Sequence, residues 1–191
     1  MTDPFALFAE WMEQARASEP NDPDAAAFAT VDAAGRPSVR MILLRRHGPE
    51  GFSFFTNLDS RKGLDLAANP VGSLAAHWKS LRKQVRADGR VEQVSDAEAD
   101  DYFAGRSRES KIGAWASDQS RGLESLAVLR GRFEEMSARF EGSDVPRPPR
   151  WSGFRLIPDT IEFWADGPYR LHERRLFVRD GHGWAESLLY P

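Results

Sequence analysis

The chain has 191 residues, with 26 Lys and Arg against 29 Asp and Glu and a formal net charge of -3, so bulk electrostatics favour neither nucleic acid nor an anionic membrane. Hydrophobic residues make up 41% and charged ones 29%, an ordinary globular balance that suits a single domain over residues 1–191. With Cys at 0, disulfides, thiolate metal sites and cysteine nucleophiles are excluded, and no apolar run approaches the ~20 residues of a membrane span.

The start, Met1-Thr2-Asp3-Pro4, does not resemble a signal or transit peptide, and a cytoplasmic protein is expected. Asp3 caps and Pro4 opens a helix whose apolar side is Phe5, Phe8, Met12 and Ala15, running to about Ser18. Glu19 to Asp24 reads as a loop, Ala26 to Val31 as a strand, Asp32 to Arg36 as a turn, and Val39 to Arg46 as the next strand. Alternation sets Arg40, Ile42 and Leu44 on one face of that strand and Met41, Leu43 and Arg45 on the other. A Gly-Pro-Glu-Gly turn then leads to Phe52–Asn57, and the two apolar runs read as a β-hairpin.

Asp59 or Ser60 caps the helix that follows, whose first turn carries Arg61 and Lys62. A helix N-terminus favours acids, so two adjacent cations there are anomalous. Either both are solvated at an ordinary helix start, or an anion such as a phosphate sits on the free N–H groups and both side chains. That helix stops at Asn69-Pro70. Gly72–Trp78 and Gln84–Val94 read as a second antiparallel pair, and Ser95-Asp-Ala-Glu98 is a capping box opening a helix to about Gly105. A short helix over Arg106–Trp115 and a long amphipathic one, marked by Leu123, Leu126, Leu129, Phe133, Met136 and Phe140, follow. The remainder is β: Gly153–Leu156, Thr160–Trp164, Arg175–Arg179 and Trp184–Leu189, the last two joined by Asp180-Gly-His-Gly183. Strands at both ends with helices between them predict a mainly β, α+β architecture, a small antiparallel barrel with peripheral helices.

Phosphate-loop, dinucleotide, nucleophile-elbow and zinc-protease motifs are missing, and the dispersed His47, His77, His172 and His182 do not predict a metal site. Two more cationic groups join Arg61-Lys62. Tyr102, Arg106 and Ser110 are spaced i, i+4, i+8 and would share a face of continuous helix, although Gly105 can break it. Arg170, His172 and Arg174 alternate between two predicted strands and would share a face if extended. Singly, each reads as well as a solvated helix end or a polar sheet face balanced by acids such as Glu162 and Glu173. Together they point to one or two ligands bearing phosphate.

The chain resembles the pyridoxamine (pyridoxine) 5′-phosphate oxidases over about Asp3 to Pro191. The resemblance is carried by Arg40-Met-Ile-Leu-Leu, Phe55-Thr-Asn-Leu-Asp-Ser-Arg-Lys62, Arg82-Lys-Gln84-Val, Tyr102-Phe-Ala-Gly-Arg106, Ser110-Lys-Ile-Gly-Ala-Trp, Gln119-Ser120, Glu162-Phe-Trp164 and Arg170-Leu-His-Glu-Arg174. It implies an FMN-binding split β-barrel and a homodimer with FMN in a cleft between subunits. It also implies oxidation of pyridoxamine or pyridoxine 5′-phosphate to pyridoxal 5′-phosphate. In that reaction hydride passes from C4′ to flavin N5 and O2 is reduced to H2O2, with no nucleic acid or membrane as partner. The implied cofactor residues are Arg40, Met41, Ile42, Leu43, Leu44, Arg45, Phe55, Thr56, Arg61, Lys62, Gln84, Gln119, Ser120, Trp164 and Arg174. The implied substrate residues are Arg45, Tyr102, Arg106, Ser110, Arg170 and His172, with Arg170 and His172 at the carbon being oxidised. Arg45 stands where the family usually has Lys, and Leu188 stands where a closing Arg-Leu-Ala-Pro is common; many members also carry a longer N-terminal arm. Two other activities suit the same fold: a split-barrel flavin reductase, and a protein that binds FMN or pyridoxal phosphate without turnover.

Overall fold

The computed structural model describes residues 3–191; Met1 and Thr2, part of the N-terminal stretch read above, lie outside them. Helix α1 (Pro4–Ser18) begins where the Asp3 carboxylate accepts the Phe5 N–H at 3.0 Å. It buries Phe5, Phe8, Trp11, Met12 and Ala15. Next come β1 (Ala25–Val31), β2 (Pro37–Leu43), β3 (Arg46–Gly48), β4 (Gly51–Asn57), α2 (Arg61–Ala68), β5 (Val71–Trp78) and β6 (Lys83–Gln93). Three helices follow, α3 (Asp96–Ala104), α4 (Arg108–Ala116) and α5 (Leu126–Arg139), then β7 (Trp151–Ala165), β8 (Glu173–Asp180) and β9 (Gly183–Leu188).

The nine strands form one antiparallel sheet in the order β2-β1-β5-β6-β7-β4-β3, with β8 and β9 continuing from β7. The long strand β7 splits it. One edge of β7 pairs with β6 along most of its length, while on the other edge its first half pairs with β4 and its second half with β8. Pro158 lies between those two halves, where its missing N–H leaves no gap in a ladder, and it faces the register shift at Asp88/Gly89. A Cβ on Gly89 would stand 2.2 Å from the Ile157 carbonyl oxygen, so only glycine fits that bend. This continuous strand corrects the expectation of two strands over Gly153–Leu156 and Thr160–Trp164. The curled sheet, with helices on its periphery, is the split β-barrel.

The expected hairpin is also redrawn. Strand β2 ends at Leu43 and pairs with β1, whereas β4 turns back on the short β3 across Gly48–Gly51. Leu44 and Arg45 bridge the two: the Leu44 N–H donates to the Asp24 carbonyl at 2.8 Å and the Arg45 N–H to the Ser53 carbonyl at 2.9 Å. Satisfying both backbones forces the chain to switch partners there. The alternation itself is as read, with Ile42 and Leu44 buried and Met41 64% exposed.

Inside the barrel Phe8, Phe28, Phe52, Phe54, Trp78, Phe163 and Phe177 are fully buried, each stabilising by about 1.5–3 kcal/mol relative to exposure. Phe8 meets Phe52 edge-on at 4.9 Å, which fixes α1 over the barrel mouth. A smaller cluster of Ile112, Phe140 and Val145 joins α4 to the end of α5. Around the start of α5, Leu123, Leu126 and Val128 are exposed.

Candidate functional site

A cleft of about 560 Å³ opens where β4 ends beside α3 and α4. Its lining includes Phe55, Thr56 and Asn57 from β4, Trp151 from the start of β7, and Gln119 from the loop before α5. Tyr102 comes from the end of α3, Arg106 from the break after it, Ser107 and Ser110 from the start of α4, and Leu43 and Arg45 from the β2–β3 junction. Tyr102, Arg106 and Ser110 do not share one continuous helix, because α3 ends at Ala104 with Gly105 as its cap. The break nevertheless folds all three onto the same cleft. Ser107, absent from the sequence reading, caps α4 by accepting the Ser110 N–H at 3.3 Å and also donates to Ser110 Oγ at 3.0 Å.

The aromatic wall is parallel. Phe55 stacks on Tyr102 at 3.9 Å and 6°, and Trp151 lies parallel to Phe55 at 5.6 Å. Against this wall lies the Arg106 guanidinium, 5.0 Å from the Trp151 ring and 5.6 Å from Phe103. Its Nη1 is buried and has no hydrogen-bond partner. Burial pushes the guanidinium below its ordinary pKa; Tyr102 opposes this and Arg45 adds to it. Arg45 is tied to Asp24 at 2.6 Å. Trp151 carried no signal beyond its place after the Pro146–Pro149 connector.

Deeper, at the start of α2, lies a second cationic group. Ser60 caps the helix by accepting the Gly63 N–H. Lys62 is buried, and its ammonium donates to Thr56 Oγ1 at 3.0 Å, Ser60 Oγ at 3.3 Å and Gln119 Oε1 at 3.5 Å. Among the described residues no carboxylate pairs with it. Burial, and then the nearby Arg40, push its pKa down to about 8. Arg61 is better balanced than the sequence implied: its Nε meets Asp65 Oδ1 at 2.9 Å and its Nη2 meets Asp32 at 3.4 Å. Asp65 is buried, accepts from Thr30 at 2.6 Å and lies 3.6 Å from Arg40 Nη2. Arg40 also donates to the Phe28 carbonyl at 3.1 Å and to Thr30 at 2.7 Å. The conflict between two cations and the helix dipole is thus relieved for Arg61 within the chain and left unrelieved for Lys62. Ile42 and Leu44 belong to the core, so their side chains are not available to a ligand in the cleft. Ser120 holds a left-handed turn at φ 70° beside Gln119.

The remaining predicted residues gather elsewhere. Gln84, Trp164 and Arg174 form one cross-strand row over β6, β7 and β8. Arg174 donates to Glu162 at 2.7 Å and to the Tyr190 carbonyl at 2.9 Å, and the Glu162 bond raises its pKa. His172 packs on Trp164 at 4.7 Å. Arg170 corrects the alternation argument. Pro168–Arg170 is a 3-10 turn with Tyr169 and Arg170 at φ 56° and 64°, and the extended strand starts only at Glu173. Arg170, His172 and Arg174 are therefore neighbours by a turn and not one row of a strand. None of this second group lines the cleft.

A family model described as pyridoxamine 5′-phosphate oxidase matches residues 12–140, and one described as the pyridoxine 5′-phosphate oxidase C-terminal dimerisation region matches residues 151–191. The chain is 62% identical over 189 residues to a pyridoxine/pyridoxamine 5′-phosphate oxidase of Sphingopyxis alaskensis, covering 99% of this chain and 88% of that one. It is 56% identical over 194 residues to the one of Rhodospirillum rubrum, covering 99% and 96%. Among solved structures, PhzG from Burkholderia lata, in complex with tetrahydrophenazine-1-carboxylic acid, superposes with a TM-score of 0.94 at 34% identity, covering 100% of this chain and 94% of that one. A pyridoxamine 5′-phosphate oxidase-related, FMN-binding protein from Nostoc punctiforme, 16% identical with a TM-score of 0.81 and covering 100% of both chains, shares the fold. With both family models matching in order and close relatives along nearly its whole length, the chain belongs to the pyridoxamine 5′-phosphate oxidase family.

Proposed function

We propose that this chain is an FMN-dependent oxidase that converts pyridoxamine or pyridoxine 5′-phosphate to pyridoxal 5′-phosphate. The observation that carries the reading is a pair of cations, the buried Lys62 and the half-buried Arg106 with its buried Nη1, neither of which has an acid partner among the described residues. Burying a charge unpaired is costly, and two such charges in neighbouring parts of one site fit two phosphate-bearing molecules. Lys62, with Arg61, Arg40, Thr56 and Gln119, would hold the phosphate of FMN. Arg106, with Tyr102, Ser110 and Arg45, would hold that of the substrate. The parallel Phe55–Tyr102–Trp151 wall favours flat rings. When bound, FMN supplies the redox chemistry, accepting hydride from C4′ at N5 and passing the electrons to O2 to give H2O2.

The chain's own work is to bind, orient and exclude water. Gripping both molecules by their phosphates fixes both rings without a covalent anchor. The second group would complete the site across a homodimer, with the partner subunit's Arg170 and His172 facing the substrate and the partner subunit's Gln84, Trp164 and Arg174 facing the flavin. Two findings support this: these residues line no part of the cleft in their own chain, and all except Gln84 fall in the region matched as a dimerisation region.

The test is oxygen uptake with pyridoxamine 5′-phosphate, followed alongside H2O2 and the aldehyde product. One H2O2 and one aldehyde formed per O2 consumed support the reading, while binding without oxygen uptake indicates a carrier. Uptake that depends on a nicotinamide donor and ignores the vitamer indicates a flavin reductase.

A further inference from the structure

We propose that Asp24 is the positioning residue that limits the grip of the cleft on phosphate, by sharing the Arg45 guanidinium with the bound ligand. Arg45 lines the cleft and Asp24 does not. The Arg45 Nη1 donates to Asp24 Oδ2 at 2.6 Å. Among the described residues this is the only bond of the Arg45 side chain, so Nε and Nη2 keep their donors for a ligand.

The fold puts the carboxylate there. In the β1–β2 ladder Ala25 faces Leu43, and one step beyond it the Asp24 carbonyl accepts the Leu44 N–H at 2.8 Å. Asp24 and Arg45 are thereby brought side by side at the ends of the two strands. The backbone around Asp24 has little freedom. The Pro23 carbonyl accepts the indole N–H of the buried Trp78 at 2.7 Å, and the carbonyl of Asp22, at φ 43°, accepts the Ala25 N–H at 2.9 Å. The pair itself is partly wet, with the Asp24 side chain 20% and the Arg45 side chain 35% exposed. Its effect on a ligand is therefore modest and screened by salt.

A phosphate monoester carries a charge of about −1.5 to −2 at neutral pH. Two guanidiniums of the cleft, Arg45 and Arg106, would meet it, and the Arg45 charge already helps to lower the pKa of Arg106. Were both free, substrate and product, which bear the same phosphate, would be gripped alike. Such uniform binding lowers KM without raising kcat and slows release. Asp24 counters it. Whichever donors the phosphate takes from Arg45, the Asp24 charge stays beside them and opposes it. This consequence rests on the proposed function, in that it takes the ligand of the cleft to be a phosphate ester.

The test compares the FMN-loaded protein with Asp24→Asn, which keeps an oxygen acceptor for Arg45 and removes the charge. KM for pyridoxamine 5′-phosphate and the inhibition constant of inorganic phosphate should both fall about two- to fivefold, the size of a partly exposed ion pair. Meanwhile kcat should not rise, KM for the dephosphorylated substrate should stay as it was, and the gain should shrink in high salt. Asp24→Glu keeps the charge and should stay close to the wild type. Should Asp24→Asn not fold, Asp24→Ser removes the same charge, and a change in the same direction is expected. Equilibrium dialysis of inorganic phosphate and of pyridoxal 5′-phosphate against the same proteins needs no turnover. Tighter binding in Asp24→Asn with no oxygen uptake in either protein would refute the oxidase reading and keep the role of Asp24. Unchanged or weaker phosphate binding in the folded variant overturns the proposal, as does an equal gain with the dephosphorylated substrate.

Discussion

Removing Arg106 should move stability and activity in opposite directions. Its Nη1 is buried without a partner, a condition that costs a folded protein about 1–3 kcal/mol. Its stem and guanidinium lie over Trp151 and Phe103, which offsets about 0.5–2 kcal/mol of that. Arg106→Met keeps the stem and discards the unsatisfied donor. Taking the middle of each range, the ligand-free variant should therefore unfold in urea with a free energy about 1 kcal/mol above the wild-type value. Catalysis should suffer, because a charge-assisted bond to phosphate contributes about 1.5–3 kcal/mol, or about ten- to a hundredfold in kcat/KM. The assay is oxygen uptake with the phosphorylated substrate and with its dephosphorylated counterpart. The loss should appear only with the phosphate present, and bound FMN should stay. Equal losses with both substrates, or a clear loss of stability in the empty protein, would make Arg106 a structural residue and refute the reasoning.

Lys62 should give FMN binding a pH limit. Its folded pKa is lowered to about 8 from 10.5, so the unfolded chain binds more protons between those values. Its contribution to the stability of the empty protein therefore rises with pH across that window. A bound phosphate favours the charged ammonium, so FMN affinity should fall as pH passes about 8. Fluorescence titration should show that fall in the wild type and not in Lys62→Met. Arg61→Ala should weaken FMN less than Lys62→Met does, because Arg61 already has Asp65 and Asp32. A Cβ on Gly63 would stand 1.9 Å from the Leu58 carbonyl oxygen, so Gly63→Ala should displace the start of α2. It should lower the urea unfolding free energy by about 3 kcal/mol or more and release FMN during purification. If the site is shared between subunits, Arg106→Ala and Arg170→Ala homodimers should each be impaired. Mixed and reassociated, they should regain up to about a quarter of wild-type activity, since heterodimers keep one intact site. No gain over the sum of the two would place the site within one chain.

The barrel was legible because its apolar runs alternate and its turns carry Gly, Pro, Asn and Asp. Strand β7 was not legible as one element. Pro158 reads as a breaker, and only the partner change from β4 to β8 makes it acceptable at that point. The cationic group at α2 was visible from a local rule, the helix dipole, and in the structure one of its two cations, Lys62, has no acid partner among the described residues. That rule could not tell Arg61 from Lys62, because the difference lies in Asp32, from a distant turn, and in the depth at which Lys62 is buried. Helical spacing grouped Tyr102, Arg106 and Ser110 correctly for an incomplete reason. The helix breaks at Gly105, and the second helix returns Ser110 to the cleft. For Arg170 the local rule failed, since nothing in Pro-Tyr-Arg signals two successive left-handed residues. Arg82 was invisible as the partner of Asp166, because the turn between β5 and β6, far away in sequence, brings the two together.

The central claim, that a phosphorylated vitamer reduces a flavin held in this cleft, is tested most directly by anaerobic stopped flow. The purified protein, saturated with FMN, is mixed with pyridoxamine 5′-phosphate while the visible flavin band is recorded. The account predicts that the band bleaches in one substrate-dependent phase, and that admitting oxygen restores it with release of H2O2. It also predicts slow bleaching in Arg106→Ala at low substrate. A flavin band that stays unchanged at saturating pyridoxamine 5′-phosphate, or a protein that holds no flavin, would contradict the account.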